Sequence, residues 1–184
     1  MKKQILFITS LLVIPVLIFL SCTEEEITEP TEENLLLSTS FEQNGKFSAE
    51  GWTLPIGSDS SLDVPSGGGK YSLILEASNP PELYAEIMVP VKTQFNEFKF
   101  TFWSKSTSVT NNIYGKAILT LVRNGSAVKS SDVTIDNIIW KSYSIQDTFT
   151  VASGDSFLVQ LTGGISQLFS GKSYFDLCKL YGVE

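Results

Sequence analysis

Residues 34–184 of this 184-residue chain read as an all-β domain, an antiparallel β-sandwich of two sheets packed face to face. Three observations predict it. No stretch of the region shows a sustained helical period with capping residues at its ends. Short strand-like runs recur instead, separated by clusters of Gly, Pro, Asn, Asp and Ser. Within those runs apolar and polar residues alternate, which gives each strand one face for a core and one for solvent.

Candidate strands fall at 34–42, 51–56, 70–77, 82–91, 96–105, 114–123, 126–134, 139–150, 155–162 and 173–182. Alternation assigns their faces. In 82–91, Leu83, Ala85, Ile87 and Val89 point inward, and Glu82, Tyr84 and Glu86 outward. In 96–105, Phe98, Phe100 and Phe102 oppose Lys99, Thr101, Trp103 and Lys105. In 114–123, Ala117, Leu119 and Leu121 oppose Lys116, Ile118 and Thr120. Asn124-Gly125 favours a two-residue type I′ hairpin joining the strands on either side of it. In the last strand Cys178 is in phase with Leu180 and reads as a buried thiol acting as a small hydrophobe. No internal repeat is evident.

Ahead of this region lies a different kind of sequence. Lys2 and Lys3 precede an almost wholly apolar run from Ile5 to Leu20, which is short for a spanning helix and has the layout of a secretory signal. It ends in Phe19-Leu20-Ser21-Cys22, which resembles the lipobox of bacterial lipoproteins, where a small residue precedes a cysteine that is diacylated before cleavage. The resemblance implies a signal peptide at 1–21, a covalent lipid such as palmitate on Cys22, and membrane anchoring without a transmembrane helix. An uncleaved signal anchor is the alternative reading. Residues 22–33 then form an acidic tether, Thr23-Glu24-Glu25-Glu26-Ile27-Thr28-Glu29-Pro30-Thr31-Glu32-Glu33, too polar and too uniformly charged to fold. Glu24-Glu25-Glu26 so close behind the cysteine is similar to the acidic export signal of some surface-exposed Gram-negative lipoproteins. That likeness implies an outer-membrane location at the cell surface; a plain self-repelling spacer is the alternative.

Composition excludes several function classes. The leader holds two of the 13 basic residues and none of the 20 acidic ones, so the rest of the chain carries −9, much of it in the six glutamates of the tether. Such a balance gives no basic surface for tracking nucleic-acid phosphates. There is no histidine, which rules out a Ser-His-Asp triad, a Cys-His pair and any histidine-ligated metal. A hydrolase would then need paired carboxylates, and the acids of 34–184 show no such motif. The chain reads as a non-enzyme.

Several fragments, in order, resemble the galactose-binding-like jelly roll of many carbohydrate-binding modules: Leu36-Leu37-Ser38-Thr39-Ser40-Phe41-Glu42 with Gly51-Trp52, Gly68-Gly69-Lys70-Tyr71-Ser72-Leu73, Phe100-Thr101-Phe102-Trp103-Ser104-Lys105, Trp140-Lys141-Ser142-Tyr143, and Tyr174-Phe175-Asp176-Leu177-Cys178-Lys179-Leu180. The resemblance implies a binding module, a core placement for Trp52 and Trp140, and a structural calcium ion held by Glu42 and Asp176 with backbone carbonyls. The other reading of those two carboxylates is ordinary hydrogen bonding. Sugar recognition joins an aromatic platform to polar groups. Alternation marks Trp103 and Tyr84 as the outward aromatics, with Lys105 and Glu86 beside them and Tyr114 and Gln160 as further candidates. Two functions stay open: a surface glycan-binding lipoprotein, or a scaffold whose outer sheet face docks an outer-membrane protein partner.

Overall fold

The computed structural model describes residues 34–107, 115–165 and 171–183. The leader, Cys22, the tether and Tyr114 lie outside the described residues. Within them the regular elements are strands: β1 Leu35–Thr39, β2 Glu42–Gln43, β3 Lys46–Phe47, β4 Asp59–Ser61, β5 Ser72–Glu76, β6 Ala85–Pro90, β7 Glu97–Ser106, β8 Lys116–Arg123, β9 Ser126–Thr134, β10 Lys141–Thr148, β11 Ser156–Thr162 and β12 Lys172–Val183.

Two antiparallel sheets pack face to face. One has the order β10-β7-β12-β5-β4, with β1 also paired to β12; the other runs β6-β11-β8-β9. The β2–β3 hairpin stands apart from both. Alternation does what the sequence demands of it most clearly in β7, where every second residue over ten positions is buried. Phe98, Phe100 and Phe102 of that strand are fully buried and meet Leu119, Leu121, Phe157 and Val159 of the opposing sheet in one core. Phe98 packs 4.7 Å from Phe157 and 6.2 Å from Phe149, ring centre to ring centre. Asn124 and Gly125 have φ of 50° and 77° and join β8 to β9 in the expected tight turn. Cys178 is buried and free.

The structure adds β3 and β4, which no candidate strand covers, and departs from the sequence expectation at three of the candidate strands as well. The 51–56 run forms no strand; Thr53 alone bridges to Glu86, because Gly51 turns with φ 80° and Pro55 offers no amide. Residues 34–42 do not run straight: Phe41 adopts φ 52° and drops into the core against Trp52, ending β1 before β2 starts. Residues 82–84 precede the β6 ladder, which begins at Ala85 opposite Leu161. Without a paired strand to impose alternation, Leu83 is exposed rather than buried.

Candidate functional site

The site is built around a fault in β12. One flank of this strand pairs with β7 along its length. The other pairs first with β5, over Lys172–Phe175, and then with β1, over Cys178–Tyr181. Where the partner changes, Asp176 faces Trp103 and Lys179 faces Thr101, so two residues of β12 stand opposite the single residue Phe102. The extra residue is Leu177, at φ 50°. This β-bulge resets the phase. Phe175, Cys178 and Leu180 all point into the core despite their uneven spacing, while Tyr174, Lys179 and Tyr181 share the outer face with Trp103 and Lys105.

Two clefts open on either side of the bulge and share Leu177 and Lys179 as a common wall. The smaller, about 140 Å³, lies against half-buried Trp103, with Thr101 and Ser142 beside it. The larger, about 470 Å³, is lined by Ser38, Thr39 and Ser40 at the end of β1 and by Glu42, Gln43 and Glu50. Its polar groups are already oriented: Gln43 Nε2 donates to Glu50 at 3.0 Å and the Lys70 amide donates to Glu42 at 2.6 Å.

A second aromatic group stands next to Trp103 on the same face. Lys105 on β7 faces Tyr174 on β12, and its ammonium lies 4.9 Å from the Tyr174 ring centre and 5.3 Å from that of Trp140. The two rings meet edge to face at 6.2 Å. Asp63, in the β4–β5 loop, accepts from Lys105 and, at 2.9 Å, from the Trp140 indole N–H. These donors, Lys105 first, hold the Asp63 carboxyl below its ordinary range. Asp63 thereby orients the Trp140 indole, against which the Tyr174 ring packs.

The sequence candidates therefore divide between two faces. Trp103 and Lys105 share the outer face of the six-stranded sheet. Glu86 and Gln160 lie on the outer face of the four-stranded sheet, cross-strand neighbours joined by a 2.6 Å hydrogen bond. Tyr84 lies just before β6, where its hydroxyl donates to Glu82 at 2.8 Å. Burial, then Glu82, pushes its phenol up to about 12. Trp140 corrects an expectation: it is half-exposed on the outer face, whereas Trp52 is buried in the core. Neither Trp140, Tyr174 nor Lys179 is marked by alternation. The resemblance places Trp140 in the core, and Tyr174 and Lys179 fall on opposite sides of the bulge, so a single phase cannot place both outward.

Glu42 and Asp176 come together at the β1–β12 junction. Asp176 shares the face of Trp103 but is roofed by the turn at Pro65–Gly69 and fully buried. Its Oδ1 accepts from the Leu177 amide at 2.7 Å, while Oδ2 has no partner. Burial pushes this carboxyl up to about 7, and the nearby Glu42 charge adds to the rise. A Cβ at Gly68 would collide with Asp176 Oδ2, and one at Gly69 with Glu42 Oε2, so only glycines let the turn lie this close. Two carboxylates in such a cradle, one of them with an orphaned buried oxygen, suit a hard, oxygen-seeking cation. Among the described residues no group of three or more His, Cys, Asp or Glu gathers at one point, so backbone oxygens would have to supply the rest of a shell.

No protein-family model matches the chain, and no curated protein matches it in sequence. Solved structures do match in fold. A family 16 carbohydrate-binding module superposes with a TM-score of 0.55 at 23% identity, covering 82% of this chain and 100% of its own. The CBM22-1 xylan-binding domain of Paenibacillus barcinonensis Xyn10C gives 0.54 at 18% identity, over 82% and 96%. An arabinose-bound MgGH51 α-L-arabinofuranosidase gives 0.55 at 15% identity, but the chain spans only 27% of that enzyme. The likeness is one of architecture: this chain has the jelly-roll β-sandwich found in carbohydrate-binding modules.

Proposed function

We propose that the chain is a membrane-anchored lipoprotein, displayed at the cell surface, whose sandwich binds glycans without transforming them. Anchoring rests on the lipobox-like Leu20-Ser21-Cys22 and display on Glu24-Glu25-Glu26. The observation that carries the glycan reading is Trp103. Its half-buried indole stands at a cleft on the outer face of the six-stranded sheet, with Thr101, Ser142 and Lys179 around it and the rings of Trp140 and Tyr174 beyond Lys105. An indole face covers sugar C–H groups, while the hydroxyls and the ammonium meet sugar oxygens. Glycan-array signal from the purified chain, lost in Trp103→Ala, is the expected result.

A second reading, docking of an outer-membrane protein partner, is favoured by the other sheet. On its outer face Met88 is 51% exposed beside half-buried Leu158 and Ile118. A silent array together with a stable co-purifying complex, lost in Met88→Lys, would favour that reading.

Glu42 and Asp176 would hold a structural calcium ion, tying the end of β1 to β12 and to the Pro65–Gly69 turn. The ion would supply charge compensation for two neighbouring carboxylates. Calcium should raise the melting temperature of the wild type, and Asp176→Ala should abolish that shift. An unchanged melting temperature on chelation at constant ionic strength refutes the calcium site.

A further inference from the structure

We infer that the glycan held on the six-stranded face is an anionic one, bearing carboxylate or sulfate groups; the inference rests on the glycan reading above. The ground for it is the pairing of charges across the described residues. Lys105, Arg123, Lys129, Lys141 and Lys172 each meet a carboxylate in an ion pair. Lys99 and Lys179 form no ion pair among the described residues, and these two are neighbours. Lys179 faces Thr101 across the β7–β12 ladder, and Lys99 is two residues further along β7, opposite Tyr181. Diagonal positions of this kind are about 7–8 Å apart, close enough for like charges to repel. A chain with a large excess of acid leaves two adjacent ammonium groups unneutralised beside its outward indole.

The face is arranged to receive an extended polymer. Trp103 and Lys99 lie four residues apart on one strand, about 13 Å, a length that spans more than one sugar ring. Between them Thr101 offers a hydroxyl, and on β10 Ser142 and Ser144 stand directly opposite Trp103 and Thr101. The bulge at Leu177 is what brings Lys179 out to this row instead of into the core. Of the carboxylates nearby, Asp63 is neutralised by Lys105, and Glu97 keeps its charge only at the end of the row, beyond Lys99. Glu97 accepts from Gln146 at 2.8 Å, and Asp63 is engaged by Lys105 and Trp140. Glu42 and Glu50 line the far wall of the larger cleft, so the anionic chain would follow β7 and β12 rather than cross to β1. Each ammonium then replaces water with a charge-assisted contact to the ligand.

Titration calorimetry of the purified chain against polygalacturonate, a sulfated galactan and neutral galactomannan tests this. Binding of an anionic polymer, weakened about tenfold in the Lys99→Gln/Lys179→Gln double variant, supports it. Comparable weakening is expected when ionic strength rises from about 0.05 to 0.5 M, because screening then acts within a few ångströms. Both lysines are surface groups outside the core, and an unchanged melting temperature verifies that the double variant is folded. Neutral galactomannan bound as tightly as the anionic polymers, lost in Trp103→Ala but indifferent to the lysine changes, overturns the inference and leaves the glycan reading standing. Anionic binding insensitive to both Trp103 and the lysines overturns it too, and no binding to any polysaccharide overturns both.

Discussion

A chain lacking Leu177 tests the account of the bulge directly. If Leu177 is a phase-neutral insertion, removing it leaves one residue, Cys178, opposite Phe102, with Asp176 still facing Trp103 and Lys179 still facing Thr101. Alternation from Tyr174 to Gly182 then becomes regular. Deletion relieves a non-glycine residue of its left-handed conformation, worth about 1 kcal/mol. Against that stand the contacts of a half-buried leucine, about 1 kcal/mol, and a backbone hydrogen bond to Asp176, about 1 kcal/mol. The net loss is therefore within about 2 kcal/mol, inside the ordinary stability of a domain this size. Removing Leu180 is the contrasting control. It forces Tyr181 into the core and moves Val183 to the position of Gly182, where the Phe95 ring leaves no space even for a Cβ. Lost burial and overpacking together cost roughly 4 kcal/mol or more. Urea unfolding gives both values, and thiol labelling reports phase: Cys178 should stay protected in the chain without Leu177. A loss as large as that of the control, or a reactive thiol, refutes the reasoning.

Phe98→Ala should cost about 3–5 kcal/mol in urea unfolding, since the ring is fully buried and packs against Phe95, Phe149 and Phe157; a loss below about 1.5 kcal/mol would place the core elsewhere. Acid should destabilise the fold through Asp147, which Lys129, and then Ser131, hold at about 2. A carboxyl depressed in the folded state contributes stability that is present above the ordinary value near 3.9 and lost as pH falls toward about 2. Asp147→Asn should flatten that part of the pH-stability curve, and an unaltered curve counts against the pair.

Most of the fold was legible because period-2 alternation is a strong constraint wherever a strand is paired on one buried face. The phenylalanines of β7 and the Asn124-Gly125 turn are cases where local sequence and tertiary structure agree. It failed where no ladder imposed the period, at Thr53 and at 82–84, and where one extra residue broke it. That break had a signature. Phe175, Cys178 and Leu180 are all apolar, yet no single phase buries Phe175 together with the other two. A conflict of this kind inside a strand that is otherwise well patterned marks a bulge, and bulges gather where a sheet positions functional side chains.

Alternation tells which residues of a strand share a face, but not which of two sheets the strand joins. Glu86 and Gln160 satisfy the pattern as well as Trp103 and Lys105 do, and only the strand order β6-β11-β8-β9 puts them on the opposite side of the molecule. A direct hydrogen bond joins the two there. Trp140 failed to stand out for a different reason: the resemblance assigns it to the core, and its outward indole is held by Asp63, 77 residues earlier in the chain. The residues best placed to act together, Trp103, Lys179, Tyr174 and Trp140, come from two strands and the segment leading into a third. Their convergence depends on β7, β10 and β12 lying side by side, with Leu177 bulged out of the β7–β12 ladder so that Lys179 stays opposite Thr101. A composite face of this kind is a property of strand order, and strand order is long-range information that local patterning does not contain.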